Sequence, residues 1–142
     1  MRGDIEWGKY FSKKEFQCST TGDCKMEQDF IDKMNQLREM FGKPIVITSG
    51  YRSALHPAEA KKKTPGVHNE GVAADVAVSR EDAYKLLLIA FQIGFTGIGV
   101  QQKGVGRFIH LDTSTGSSRS PRPTVWSYSI KNLLPSLFVR DS

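Results

Sequence analysis

Apolar residues recur along this chain with two different periods, and the changes of period divide it into elements. Over residues 26–41 they fall at Met26, Phe30, Ile31, Met34, Leu37, Met40 and Phe41. Steps of four, three and one put them on one stripe of a helix, and Gly42 is placed to cap it. The methionine-rich stripe reads as core packing rather than a ligand site. Residues 44–48, Pro-Ile-Val-Ile-Thr, predict a strand with its proline first, where a missing donor costs least. Residues 72–78 are small, apolar and β-rich around a single acid, Asp75. Ser79 predicts the N-cap of a second helix over 80–91, with Glu81 and Asp82 in the first turn where the helix dipole favours them. Gly94 ends it. Residues 98–100 and 107–112 predict a hairpin turning near Lys103 and Gly104.

The remaining stretches are shorter or more polar. Trp7, Tyr10 and Phe11 supply aromatics for one edge of the core. Ser12 and Glu15 have capping-box spacing and predict a short helix, closed by a loop over 18–23. Residues 49–53 turn the chain off the first strand. One or two helical turns fit within 55–63, and 61–66 reads as an exposed loop. The stretch 113–123 is rich in Ser, Gly and Pro and predicts a loop. A last edge strand is expected over 125–130, and an apolar end over 133–139 that packs back on the body. No repeat and no long linker interrupts the chain, so its 142 residues predict one domain, long enough to bury a core without staples.

Composition narrows the class. Hydrophobic content of 39% and charged content of 25% suit a soluble globular protein, expected to be a monomer. No apolar run reaches the length of a membrane span. The first residues are too polar for a signal peptide, so work outside the cytoplasm would need another way out, such as release by lysis or delivery with a virion. The net charge of +5 fits an anionic partner, for instance the bacterial wall, and equally fits plain solubility. The basic run Lys61, Lys62 and Lys63 has no interleaved aromatics, so specific nucleic-acid binding is not expected. Cys18 and Cys24 have neither redox-motif spacing nor a second pair to build a structural zinc site. A local disulfide and two free thiols both remain open.

Three side chains carry the candidate chemistry. His68 and Asp75 stand seven residues apart on either side of Gly71, and His110 emerges from Phe-Ile-His-Leu-Asp. Two imidazoles and a carboxylate can hold a zinc ion firmly and leave one position open. Asp75 lies in an apolar run, where an unpaired acid is expensive and a bound cation would compensate it. With a period of two, Phe108, His110 and Asp112 share one strand face. From the pattern alone a satisfied core histidine and a salt-bridged acid are also tenable.

The order of these residues resembles a known family. Ser49-Gly-Tyr-Arg52-Ser, then His68-x-x-Gly71-x-Ala73-x-Asp75, then Gly97-Ile-Gly and Phe108-Ile-His110-Leu-Asp112, is similar to the zinc D-alanyl-D-alanine carboxypeptidases and L-alanyl-D-glutamate endopeptidases of the Hedgehog/DD-peptidase fold, phage endolysins among them. Phe11-Ser-x-x-Glu15-Phe16-x-Cys18, Lys43-Pro44-Ile-x-Ile-Thr-Ser-Gly and Arg122-Pro123-x-x-Trp126-x-Tyr128 fit it too. The resemblance implies an α+β fold with a small antiparallel sheet and helices packed on one side. It implies Zn2+ held by His68, Asp75 and His110, and Arg52 as a catalytic and substrate-binding group on a peptidoglycan stem peptide. The outcome would be hydrolysis of an amide bond, as in endolysin-like wall lysis.

The chain departs from the family pattern in two places. Arg107 stands where many members have a catalytic Glu, three residues before the last histidine. Gly66 stands where many have Ser. Asp112 becomes the first candidate for proton work, with orientation of His110 as its alternative role. Glu70 is a weaker candidate. His56 is undecided between substrate and no role, and Trp126 between a groove wall and core. The missing Glu keeps a second function open, a non-catalytic zinc-bearing module that binds cell wall or a protein.

Overall fold

The computed structural model describes residues 4–60 and 66–128. Five strands form one sheet in the order β1-β2-β4-β3-β5. They are β1 (Val46–Ser49), β2 (Ala73–Ala77), β3 (Gly97–Gln101), β4 (Phe108–Asp112) and β5 (Thr124–Ser127). Two long helices, α2 (Gln28–Phe41) and α5 (Arg80–Ile93), accompany three single turns: α1 (Lys13–Phe16), α3 (Pro57–Ala60) and α4 (Val67–Glu70).

The long helices form where the apolar stripes fall. α2 buries Phe30, Ile31, Met34 and Leu37 completely. At about 1.5–3 kcal/mol per large apolar side chain removed from water, this face outweighs any difference in helix propensity. Gly42 closes α2 in the left-handed region, its N–H bonded to Arg38. Gly94 closes α5 in the same way. α5 extends two residues past the predicted end, because Ile93 still packs against the core. In α1 the expected capping carboxylate is present, Glu15 accepting from the Ser12 N–H at 2.7 Å.

Alternation along the strands gives the sheet two different faces. Ala74, Val76, Ile98, Ile109 and Leu111 are buried in one core with α2 and α5. The other face presents Asp75 on β2, His110 and Asp112 on β4, Gly97 and Gly99 on β3, and Trp126 on β5. Asp75 is paired in register with His110, His110 with Gly99, and Gly99 with Trp126. A single cross-strand row therefore runs through the candidate ligands.

The α+β expectation holds, but the sheet is mixed rather than antiparallel, since β5 pairs parallel to β3. The cause is where the chain re-enters. The loop over 113–123 leaves β4 beside Gly97 and returns at that same end, where Thr124 pairs with Gly97. β5 must then run opposite to β4, and β3, lying between them, also runs opposite to β4. The two long helices lie on one face as expected, while the single turn α4 stands on the other. The predicted loop over 61–66 falls mostly, and the apolar end over 133–139 entirely, outside the described residues. The last strand, expected over 125–130, runs from Thr124 to Ser127 with Tyr128 just beyond it, and 129–130 fall outside the described residues.

Candidate metal centre

Asp75 and His110 reach the site through the regular ladder of β2 and β4. Asp75 Oδ1 lies 3.0 Å from His110 Nδ1 and 3.4 Å from His68 Nε2. All three residues are buried, and one ligating atom from each lies within 4.8 Å of the others.

His68 arrives differently. It sits in the helical turn α4, outside the sheet. Gly71 ends that turn at φ 77, and a Cβ there would collide with the Lys25 carbonyl. The Gly71 carbonyl accepts from the Glu27 N–H at 2.9 Å. Only glycine meets both demands, a left-handed backbone and this close approach. His68 Nδ1 lies 2.8 Å from the Gly50 carbonyl, which can only accept, so Nδ1 is the donor there and Nε2 is the nitrogen turned toward Asp75. Gly50 itself presses on α1, since a Cβ there would stand 2.6 Å from the Phe16 carbonyl.

The segment bearing Arg52 is clamped to α4. The Arg52 N–H donates to the His68 carbonyl at 3.1 Å, and the Asn69 amide donates to the Arg52 carbonyl at 2.8 Å. Its guanidinium lies 3.5 Å from Asp75 and 3.7 Å from Glu59, with the side chain 21% exposed at the cleft. Glu59 is fully buried and also accepts from the Gly66 N–H at 2.7 Å. Nothing in the polar run Pro-Ala-Glu-Ala-Lys marks that acid as buried.

Asp112 lies beneath His110. Its side chain is fully buried, and His110 Nε2 stands 2.7 Å away. Arg122 grips the same carboxylate with two bonds, Nε at 3.0 Å and an Nη at 2.8 Å, and the Ser114 N–H adds a third at 3.2 Å. Gly97 makes room for it, since a Cβ there would collide with the carboxylate. Burial pushes Asp112 up, but the bonds from His110 and Arg122 outweigh it and hold the carboxyl down at about 2. Asp75 behaves alike: burial raises it, and the two histidines bring it well below the usual carboxylate range. Burial lowers His110, yet its bonds to Asp112 and Asp75 leave it raised overall.

The site opens into a cleft of about 290 Å3 lined by Arg52, Val67, Phe108, Arg122, Trp126 and Tyr128 together with the three candidate ligands. Trp126 walls it, with its ring 5.2 Å from that of His110 and the Arg122 guanidinium 5.0 Å from its own centre. Gly99 permits this, because a Cβ there would stand 2.6 Å from the Trp126 indole nitrogen. The Tyr128 ring packs 5.2 Å from Phe108. Burial pushes its phenol up to about 12, so it stays a hydroxyl at any ordinary pH.

Other candidates stand elsewhere. His56 caps α3, its Nδ1 accepting from the Ala58 N–H at 3.0 Å. Glu70 is exposed at the end of α4. Arg107 donates to the Gly104 carbonyl at 2.9 Å and lines a groove at the far end of the sheet with Ala77 and Val78. Cys18 and Cys24 are free thiols, and Cys18 Sγ accepts from the Ser53 N–H at 3.5 Å. Arg122 and Tyr128 went unassigned in the sequence, although both belong to its Arg-Pro-x-x-Trp-x-Tyr pattern.

An α+β protein that gathers two imidazoles and a carboxylate at an open cleft has the ligand set of a metal-dependent hydrolase. The family model described as Peptidase M15 matches residues 9–112, most of the chain, and the protein belongs to that family of peptidases, which includes the zinc D-alanyl-D-alanine carboxypeptidases. No curated protein matches it. The matched span contains Arg52 and all three candidate ligands, and it ends at Asp112, before Arg122, Trp126 and Tyr128.

Proposed function

We propose that this protein is a zinc-dependent peptidase that hydrolyses an amide bond in peptidoglycan stem peptides. The observation that carries this reading is the convergence of His68, Asp75 and His110 at a cleft in a chain of the M15 family. The donor set suits zinc: two imidazoles, one held through its Nδ1 by Gly50, and a carboxylate already ionised. Zinc held there supplies Lewis acidity toward water and the peptide carbonyl.

The remaining roles fall to this chain's own groups. Arg52 binds a carboxylate or carbonyl of the substrate, its position set by the clamp on α4. Asp112 orients His110 rather than moving protons, because its oxygens are already engaged by His110, Arg122 and Ser114. Trp126 and Phe108 shape the cleft. The positive net charge holds the enzyme near an anionic wall.

The test is peptide release from purified peptidoglycan by zinc-loaded protein, with and without chelator, beside His68→Ala. Release that requires zinc and disappears in the variant is the expected result. One observation favours a competing reading, a non-catalytic zinc-bearing module: Arg107 replaces the usual Glu, and its side chain bonds Gly104 rather than facing the cleft. Stoichiometric zinc with no release from any wall preparation would select the module.

A further inference from the structure

We propose, resting on the peptidase reading, that the Tyr128 hydroxyl is a substrate-contacting catalytic group: it donates a hydrogen bond to the oxygen of the scissile carbonyl as negative charge develops there. Four observations converge on it. The first is place. A Cβ on Gly99 would stand 2.9 Å from the Tyr128 oxygen, and Gly99 is the register partner of His110. The hydroxyl therefore lies over the same cross-strand row as the ligand set. Arg52 follows β1 at one edge of the sheet and Tyr128 follows β5 at the other, so the two flank that row.

The second is direction. The Trp126 indole nitrogen lies beside the Tyr128 oxygen, since a Cβ on Gly99 would stand 2.6 Å from the first and 2.9 Å from the second, and an indole N–H can only donate. Toward that neighbour the phenolic oxygen can act only as an acceptor, which leaves its own proton to offer to a ligand. The third is rigidity. The Tyr128 ring rests on Phe108 and stands 6.4 Å from the ring of Trp126, with glycine beneath, so the donor is held before substrate arrives. The fourth is need. Position 107 holds no carboxylic acid, and the Asp112 oxygens are engaged, so Arg52 would otherwise face the developing charge without a hydroxyl partner.

No proton leaves the phenol in this scheme. Water adds to the carbonyl carbon, the oxygen gains charge and then returns it as the C–N bond breaks. The amine departs with a proton that came from the water. Tyr128 only lowers the energy of the charged stage.

The test is Tyr128→Phe, which keeps the ring and its packing and removes one oxygen. Zinc-loaded wild type and variant are compared in turnover of a stem pentapeptide, and in affinity for D-alanyl-D-alanine and for its phosphinate analogue, whose tetrahedral oxygens mimic the charged stage. The expected result is a fall of about 100-fold in kcat and in phosphinate affinity, as for loss of one oxyanion donor. KM, affinity for the plain dipeptide, zinc content and Tm stay unchanged. Equal kcat and phosphinate affinity in the two proteins would overturn the assignment, and so would an equal loss toward dipeptide and phosphinate. Absence of turnover by wild type would overturn the peptidase reading alone, because the phosphinate arm still reports on Tyr128.

Discussion

The two histidines of this site reach it by opposite means. His110 stands in the middle of a five-stranded sheet, and its place follows from register: Asp75 on one side, Gly99 on the other, Asp112 two residues along the same face. His68 stands in one helical turn outside the sheet. Its place follows from contacts between backbones: Gly50 against Phe16, Gly71 against Lys25, and Arg52 and Asn69 laced across α4. A strand residue is located by many equivalent ladder bonds, each individually dispensable. A loop residue is located by a few close approaches, none of which has a substitute. The strand-borne half should therefore fail through its chemistry and the loop-borne half through its backbone.

Removing the imidazoles themselves gives the largest effect and tests whether the two halves serve one ion. His68→Ala and His110→Ala are each expected to lose stoichiometric zinc, measured by metal analysis after gel filtration. Equal retention of zinc in either variant would divide the halves and end the idea of a shared centre.

Gly71→Ala attacks the loop-borne half without touching a ligand. It asks a left-handed position to accept a Cβ that meets the Lys25 carbonyl. Strain and displaced backbone together should cost about 3 kcal/mol or more, a Tm lower by roughly 10 °C. Gly42→Ala is the control: its φ is also positive at 82, but nothing lies within 4 Å of the added carbon. It should cost only about 1 kcal/mol. If the two variants melt together, close approach is not what fixes α4.

The next pair separates the neighbours of the two halves. Asp112→Asn removes the charge behind His110 and should weaken zinc by about 10–100-fold, as for other groups that orient a ligand histidine. Glu59→Gln alters the carboxylate that faces Arg52 and accepts from the Gly66 N–H, and should leave zinc affinity unchanged. Competition titration against a chromogenic chelator reads both. An effect of Glu59→Gln as large as that of Asp112→Asn would mean that Arg52 and Asp75 couple the halves more tightly than their 3.5 Å separation implies.

The same division explains what could be read from the sequence. Strand-borne features announce themselves by period: apolar residues on alternate positions of β4 bracket His110, and Asp75 is conspicuous among alanines and valines. The helices were equally visible from their stripes and closing glycines. The loop-borne half left weaker marks. Gly50 and Gly71 show that the backbone does something special, but not that Phe16 and Lys25 are what it meets. Glu59 and the parallel course of β5 left no local mark, because each depends on a partner distant in the chain. Tyr128 was visible only as the last letter of a pattern, since its role comes from Gly99 and Trp126, which meet it only after β5 has docked beside β3.

The smallest effect lies in the pH dependence of the metal-free protein, and it too separates the halves. Asp112 has its carboxyl lowered to about 2 by His110 and Arg122, against about 3.9 in an unfolded chain. A folded value below the unfolded one gives stability that is complete above about pH 4 and is lost as pH falls toward 2. His110 is shifted upward, so its contribution is present below about pH 6.5 and is lost as pH rises through its folded value. Both terms belong to the strand-borne half, and the metal-free protein should be most stable between them. Zinc reverses the alkaline limb, because it requires imidazoles without their extra proton. Melting curves in chelator and in zinc should therefore diverge as pH rises from about 5 to 8, by a margin that grows with each step. Asp112→Asn should flatten the acid limb of the chelated protein and shrink the alkaline one, since His110 then has one carboxylate instead of two to favour its charged form. Parallel curves in chelator and zinc across that range would mean that protons and metal do not compete for His110, and the sheet-borne imidazole would have to be given another task.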